Sequence, residues 1–165
     1  MDKKKVLFVC VHNSGRSQMA EAFFNYLAAE NASASSAGTQ PAPEINPTVV
    51  RVMREVGLDV SRKKPKMITF QMMKSADRVI TMGCGAEKVC PASFVPAEDW
   101  QIEDPEGKAI GEVREIRDII RKKVQALIEE INVAPSKNSG SGLNQPESHS
   151  VSIELKRDEK WKISL

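Results

Sequence analysis

Residues 5–10, KVLFVC, are followed by five residues, VHNSG, and then by Arg16, Ser17 and a helix-like stretch. Nothing else in the chain constrains the fold as much. A short β-branched and apolar run reads as a strand of a parallel sheet, buried on both faces. The chemistry of the turn is equally telling. A helix start offers unpaired N–H groups and the positive end of a dipole. A loop wrapped around that point becomes an anion cradle, and a thiolate placed in it is stabilised by the same field. Arg16 adds a planar fork of donors that suits a tetrahedral oxyanion. Gly15 permits the backbone angles of a tight cradle. The Ser17 hydroxyl can donate to the thiolate, and Asn13 can tie the loop to itself. Cys10 thus reads as a nucleophile in an oxyanion nest made by Val11, His12, Asn13, Ser14, Gly15, Arg16 and Ser17. His12 is by default a permitted loop residue, with proton transfer as the sharper alternative. A cysteine at a strand end is often only a small buried hydrophobe. The strand before the spacing, and the Ser and helix after it, favour the nucleophile.

The rest of the chain alternates in the same way. Residues 17–30 read as a helix with Met19, Phe23, Tyr26 and Leu27 on one side. Residues 33–39 read as a second strand closed by Gly38, and QPAPEINP as a turn-rich loop. Pro47 can open a helix carrying Val49, Val50, Val52, Met53 and Val56, which Gly57 stops. A weak helix covers 67–75, a third strand 77–82 and a fourth 93–97. Residues 109–132 carry Ile110, Val113, Ile116, Ile119, Ile120, Val124, Leu127, Ile128 and Ile131 at steps of three and four, the strongest helix signal. The expected architecture is α/β: a four-stranded parallel sheet flanked by helices. Ligands of such sheets gather at the carboxyl ends of the strands, where Cys10 and Cys84 both fall. Residues 1–133 form the domain, 134–149 a Ser/Gly/Pro/Asn-rich linker, and 150–165 an alternating tail with the pattern of a β-hairpin.

Composition narrows the function. A chain of 165 residues is about one domain's worth, and 41% hydrophobic content supports a core. A net charge of +2, without a basic block, argues against nucleic-acid binding. No run approaches membrane-spanning length, and MDKKK leads straight into a strand rather than a secretory signal. Three cysteines make a poor disulfide framework and fit a cytoplasmic protein with working thiols.

The stretch VCVHNSGRSQMAEAF resembles the phosphate-binding loop of the low-molecular-weight protein tyrosine phosphatases, and more closely that of the thioredoxin-linked arsenate reductases sharing their fold. The resemblance covers about residues 4–132, with SSAGT after the first helix and WQIEDP before the last. It implies that Asp104, in the Asp104–Pro105 pair, is the proton donor to the leaving oxygen, although Asp-Pro is common in turns. It also gives Cys84 and Cys90 a purpose. A phosphatase does not need them, whereas a two-electron reduction needs two thiols. Their spacing is wrong for a C-x2-C zinc knuckle.

The implied activity is reduction of arsenate to arsenite, with a role in arsenical resistance. Cys10 would attack arsenic, Arg16 and loop amides would hold its oxygens, and Cys84 and then Cys90 would carry the disulfide to thioredoxin or a similar dithiol protein. No cofactor and no metal are expected. Some reductases of this kind bind potassium beside the loop. Asn13, Glu21 and Ser36 are present here, but SRKKPKM follows, and Lys64 or Lys66 would put an ammonium where a cation's ligands belong. Two other functions stay open. A phosphatase would use Cys10, Arg16 and Asp104 alone. An arsenite- or zinc-binding thiol sensor would use the cysteines but leave Arg16 and Asp104 unexplained.

Overall fold

The computed structural model describes residues 3–83 and 97–133. The elements run β1 (Lys4–Cys10), α1 (Arg16–Leu27), β2 (Ala32–Gly38), α2 (Pro47–Glu55), α3 (Phe70–Ser75), β3 (Arg78–Thr81), β4 (Ala97–Asp99) and α4 (Ile110–Val133). The strands form one sheet in the order β2-β1-β3-β4, and every pairing is parallel. After β2 the chain crosses back over β1 to build β3 and then β4. The strand order therefore reverses at β1, which places the carboxyl end of β1, Cys10, at the switch point.

Alternation along β1 splits the interior into two layers. Val6, Phe8 and Cys10 join the larger cluster, with α1, α2 and α4. Leu7 and Val9 join Ala37 and Val79 in a smaller cluster, covered by Ile68, Met72, Met73 and Ala76. Phe8 meets Phe24 edge-on at 6.0 Å and Trp100 at 5.6 Å. Burying a side chain of that size stabilises the fold by about 1.5–3 kcal/mol.

Local signals explain most of the boundaries. Asn46 caps α2 by accepting from the Thr48 amide at 2.9 Å, and Pro47 takes the first helical position. Gly57 (φ +81°) ends that helix, with Leu58 N–H returning to Met53 O at 3.0 Å. Asp77, just before β3, aligns that strand with β1, accepting from Lys5 N–H at 2.7 Å and donating its own N–H to Lys5 O at 2.8 Å.

Some expectations need correction. Tyr26 and Ile119, placed on buried stripes by spacing, are 47% exposed; each sits at the margin of its helix's apolar face. Residues 67–69 precede α3 rather than belonging to it. Met67 bridges Gly38 as an extension of the sheet edge, and Thr69 caps α3 through the Met72 amide. The fourth strand, expected at 93–97, has its described part at Ala97–Asp99, two residues past the expected end. Residues 93–96, Cys84, Cys90 and the expected linker (134–149) and hairpin tail (150–165) lie outside the described residues. Among the described residues, no helix is long and apolar enough to cross a membrane.

Candidate active site

The loop from Cys10 to Arg16 is held from outside by the backbone of residues 39–46. Cys10 O accepts from Thr39 N–H (3.2 Å), Val11 O from Gln40 (2.8 Å), His12 O from Ala42 (2.9 Å) and Ser14 O from Asn46 (3.0 Å). A planar peptide points its N–H opposite its C=O. Carbonyls turned out to this collar therefore turn the following amides inward, into a concave nest. One of them, Asn13 N–H, donates to Cys10 Sγ at 3.3 Å. Asn13 takes a left-handed φ of 49°, a conformation asparagine tolerates better than most residues. Gly15 precedes α1 and supplies no side-chain cap, so the first-turn amides keep no side-chain oxygen of their own.

Two close approaches explain why the loop needs glycine around it. A Cβ on Gly38 would lie 2.5 Å from Val11 O and 3.0 Å from Asn13 N. A Cβ on Gly15 would lie 2.8 Å from Pro105 Cγ. The first contact lets β2 support the loop. The second seats the Asp104–Pro105 turn directly over it.

Inside the nest, Cys10 is buried and its sulfur lies 2.9 Å from Ser17 Oγ. Ser17 Oγ also accepts from Asn13 Nδ2 at 2.7 Å. Asn13 Oδ1 accepts from Gln18 Nε2 (3.1 Å) and Lys66 N–H (3.0 Å). Arg16 is buried as well. Its Nη1 donates to Met82 O at 2.7 Å and Ile102 O at 3.1 Å, tying the guanidinium to the ends of the two neighbouring strand segments. Its Nη2 faces Asp104 Oδ2 at 3.5 Å. Gly83 (φ +68°) lies against this group, where a Cβ would come within 3.3 Å of Nη1.

Asp104 is 42% exposed, and its Oδ1 accepts from Glu106 N–H at 3.0 Å in a tight turn. His12 Nδ1 stands 3.7 Å from Asp104 Oδ2 and 3.5 Å from Glu106 Oε2. One imidazole nitrogen and two carboxylate oxygens thus lie within 4.8 Å of one another. Arg16 already places a positive charge on the same Asp104 oxygen, which opposes a metal cation there.

Beside the loop, Glu21 is buried and accepts from Ser36 Oγ at 2.7 Å. The ammonium facing it is that of Lys63, 3.9 Å from Oε1, rather than Lys64 or Lys66. Lys66 contributes its backbone amide instead, to Asn13. Asn13 Oδ1 already accepts two donors and the Glu21 carboxylate faces an ammonium, so both oxygens that a potassium ion would use have partners of their own.

The structure thus brings Cys10, the whole 11–17 loop and Asp104 together. Cys84 and Cys90 lie outside the described residues; Gly83, immediately before Cys84, donates its N–H to Asp99 Oδ1 at 2.9 Å. Sequence reasoning missed the 39–46 collar, Gln18 and Glu106. The collar works through backbone groups and leaves no side-chain signature. Gln18 follows Arg16 and Ser17 and precedes Glu21, and among these polar neighbours no sequence signal marks it as buried.

Residues 5–137 match the family described as low molecular weight phosphotyrosine protein phosphatase. The chain is 38% identical over 130 residues to a putative arsenate reductase of Halobacterium salinarum, covering 76% of this chain and 91% of that protein. It is 38% identical over 133 residues to a glutaredoxin arsenate reductase of Synechocystis, covering 78% of this chain and 99% of that one. Among solved structures it resembles a thioredoxin-dependent arsenate reductase of Corynebacterium glutamicum, with a TM-score of 0.70 and 36% identity, over 81% of this chain and 64% of the other. With its parallel sheet, its loop between β1 and α1 and the match over 5–137, the chain belongs to the low molecular weight phosphotyrosine protein phosphatase family.

Proposed function

We propose that this protein is an arsenate reductase that uses Cys10 as nucleophile and passes the resulting disulfide through Cys84 to Cys90. The observation that carries the nucleophile is the placement of Cys10 Sγ. It lies within reach of the Ser17 hydroxyl and a loop amide, in a nest where Arg16 presents Nη2 beside Asp104. The relatives named arsenate reductases support the substrate.

Arsenate enters the nest and its oxygens take the inward amides and the Arg16 fork. The Cys10 thiolate forms a bond to arsenic and one arsenic–oxygen bond breaks. Asp104 protonates the departing oxygen, which leaves as water. Cys84 then attacks the Cys10 sulfur. The S–S bond forms, the S–As pair returns to arsenic, and As(V) becomes As(III). The two thiols supply the two electrons. Cys90 attacks Cys84 and frees Cys10, and an external dithiol protein reduces the Cys84–Cys90 bond. Thioredoxin and glutaredoxin are both compatible reductants, given the names of the relatives. Thiols that must stay reduced between turnovers point to a cytoplasmic setting. Every group assigned to these steps precedes residue 133.

Arsenate-dependent oxidation of NADPH in the presence of thioredoxin and its reductase tests the proposal. Turnover supports it. Hydrolysis of an aryl phosphate without arsenate reduction supports the second reading, a phosphatase using Cys10, Arg16 and Asp104 alone, which family membership favours. Neither activity, with tight arsenite or zinc binding, would point to a thiol sensor.

A further inference from the structure

A backbone N–H can only donate, and that sets the direction of every hydrogen bond behind the nucleophile. Lys66 N–H meets Asn13 Oδ1 at 3.0 Å, and Gln18 Nε2 meets the same oxygen at 3.1 Å. The Asn13 amide is therefore turned with its oxygen toward these two donors and its Nδ2 toward Ser17 Oγ, 2.7 Å away. Because Ser17 Oγ accepts there, its own hydrogen is free to point at Cys10 Sγ, 2.9 Å away. The chain of donors runs one way, toward the sulfur, and that direction suits a thiolate, which can only accept.

Gln18 is the side chain in this chain of bonds that folding does not explain. It is only 2% exposed. Its Nε2 serves Asn13, but its Oε1 is buried with no hydrogen-bond partner among the described residues. An orphaned buried acceptor lowers stability, and an apolar side chain of similar length would avoid that loss. We propose that Gln18 is a positioning residue for the nucleophile: its Nε2–H, together with Lys66 N–H, locks the Asn13 amide so that the Ser17 hydroxyl donates to the Cys10 sulfur. Without it, Asn13 Oδ1 keeps a single donor. The amide is then freer to turn, and the Ser17 hydrogen is no longer reserved for sulfur. The proposal rests on Cys10 being the nucleophile, not on which oxyanion it attacks.

The test uses the full chain carrying Cys84→Ser and Cys90→Ser, so that Cys10 is its one remaining thiol. Iodoacetamide alkylation of Cys10 is followed across pH, with and without Gln18→Met, and the thermal midpoint of each protein is measured. Gln18→Met should slow alkylation at neutral pH by about five-fold, the loss of one modest hydrogen bond. It should also move the alkylation profile to higher pH and leave the midpoint unchanged or raised. Gln18→Leu should behave the same way. An alkylation profile identical to the parent's overturns the proposal. So does slower alkylation accompanied by a matching fall in the midpoint, because that is the mark of a merely structural residue. If the parent's Cys10 reacts at neutral pH no faster than an ordinary thiol, the nucleophile assignment itself fails, and this proposal with it.

Discussion

Residues 10–17 and residues 99–108 face each other across Arg16, and they are held in opposite ways. The nucleophile loop is buried and gripped by backbone: four of its carbonyls are taken by residues 39–46, and Asn13 is bound from α1, from Lys66 and across to Ser17. The acid loop alternates exposed residues with the buried Trp100, Ile102 and Pro105, and side chains do most of its anchoring. Asp99 Oδ1 accepts from Thr81 Oγ1 (3.1 Å), Gly83 N–H and Gln101 N–H, Pro105 rests over Gly15, and Asp104 reaches Arg16. The difference fits the chemistry. A thiolate attacking in line needs fixed geometry and fixed donors. An acid that gives a proton and takes one back needs access to water.

The largest effect should come from the centre of the rigid half. Cys10→Ser should abolish arsenate reduction and any phosphate-ester hydrolysis, because a hydroxyl with no base beside it is a poor nucleophile; retained steady-state reduction would remove Cys10 from its role. In the acid loop, Asp104→Asn should lower kcat by about 10²–10⁴-fold while leaving arsenate binding largely intact. An unchanged kcat would make Asp104 a turn residue and nothing more.

Gly38→Ala probes how tightly the loop is gripped. Its new Cβ would meet backbone atoms of Val11 and Asn13, which cannot move aside cheaply. The expected cost is about 1–3 kcal/mol of stability together with a fall in kcat; an unperturbed enzyme would mean that the collar is looser than its hydrogen bonds indicate. The smallest effect concerns Glu21. With Lys63 already facing that carboxylate, rates in sodium and potassium buffers of equal ionic strength should agree, and a marked potassium preference would show that a cation displaces the lysine.

The same two halves differ in how far sequence alone reveals them. β1 and α4 were legible because burial writes itself as apolar residues at fixed periods. The Cys10–Arg16 loop was legible because its chemistry lies in side chains at fixed spacing. β4 was not: its described residues, Ala97, Glu98 and Asp99, are all exposed, and a charged edge strand has no apolar alternation to read. Lys63, Lys64 and Lys66 are indistinguishable as residue types, and only backbone direction decides which ammonium faces Glu21. Residues 40–46, within the stretch QPAPEINP, read only as a turn-rich loop because their work is done by N–H groups that every residue but proline carries.

The relay through three thiols is the central claim, and a single-turnover experiment on Cys90→Ser tests it most directly. If Cys84 attacks the arsenic-bearing Cys10, the first reduction needs only those two thiols, and Cys90 serves to carry the disulfide onward. Mixed with excess arsenate and the thioredoxin system, the variant should release about one arsenite per protein and then stall, as sequential thiol exchange requires. Peptide mapping of the stalled protein should find a Cys10–Cys84 disulfide. Sustained thioredoxin-coupled turnover by Cys90→Ser would contradict the account, because the relay would then end at Cys84.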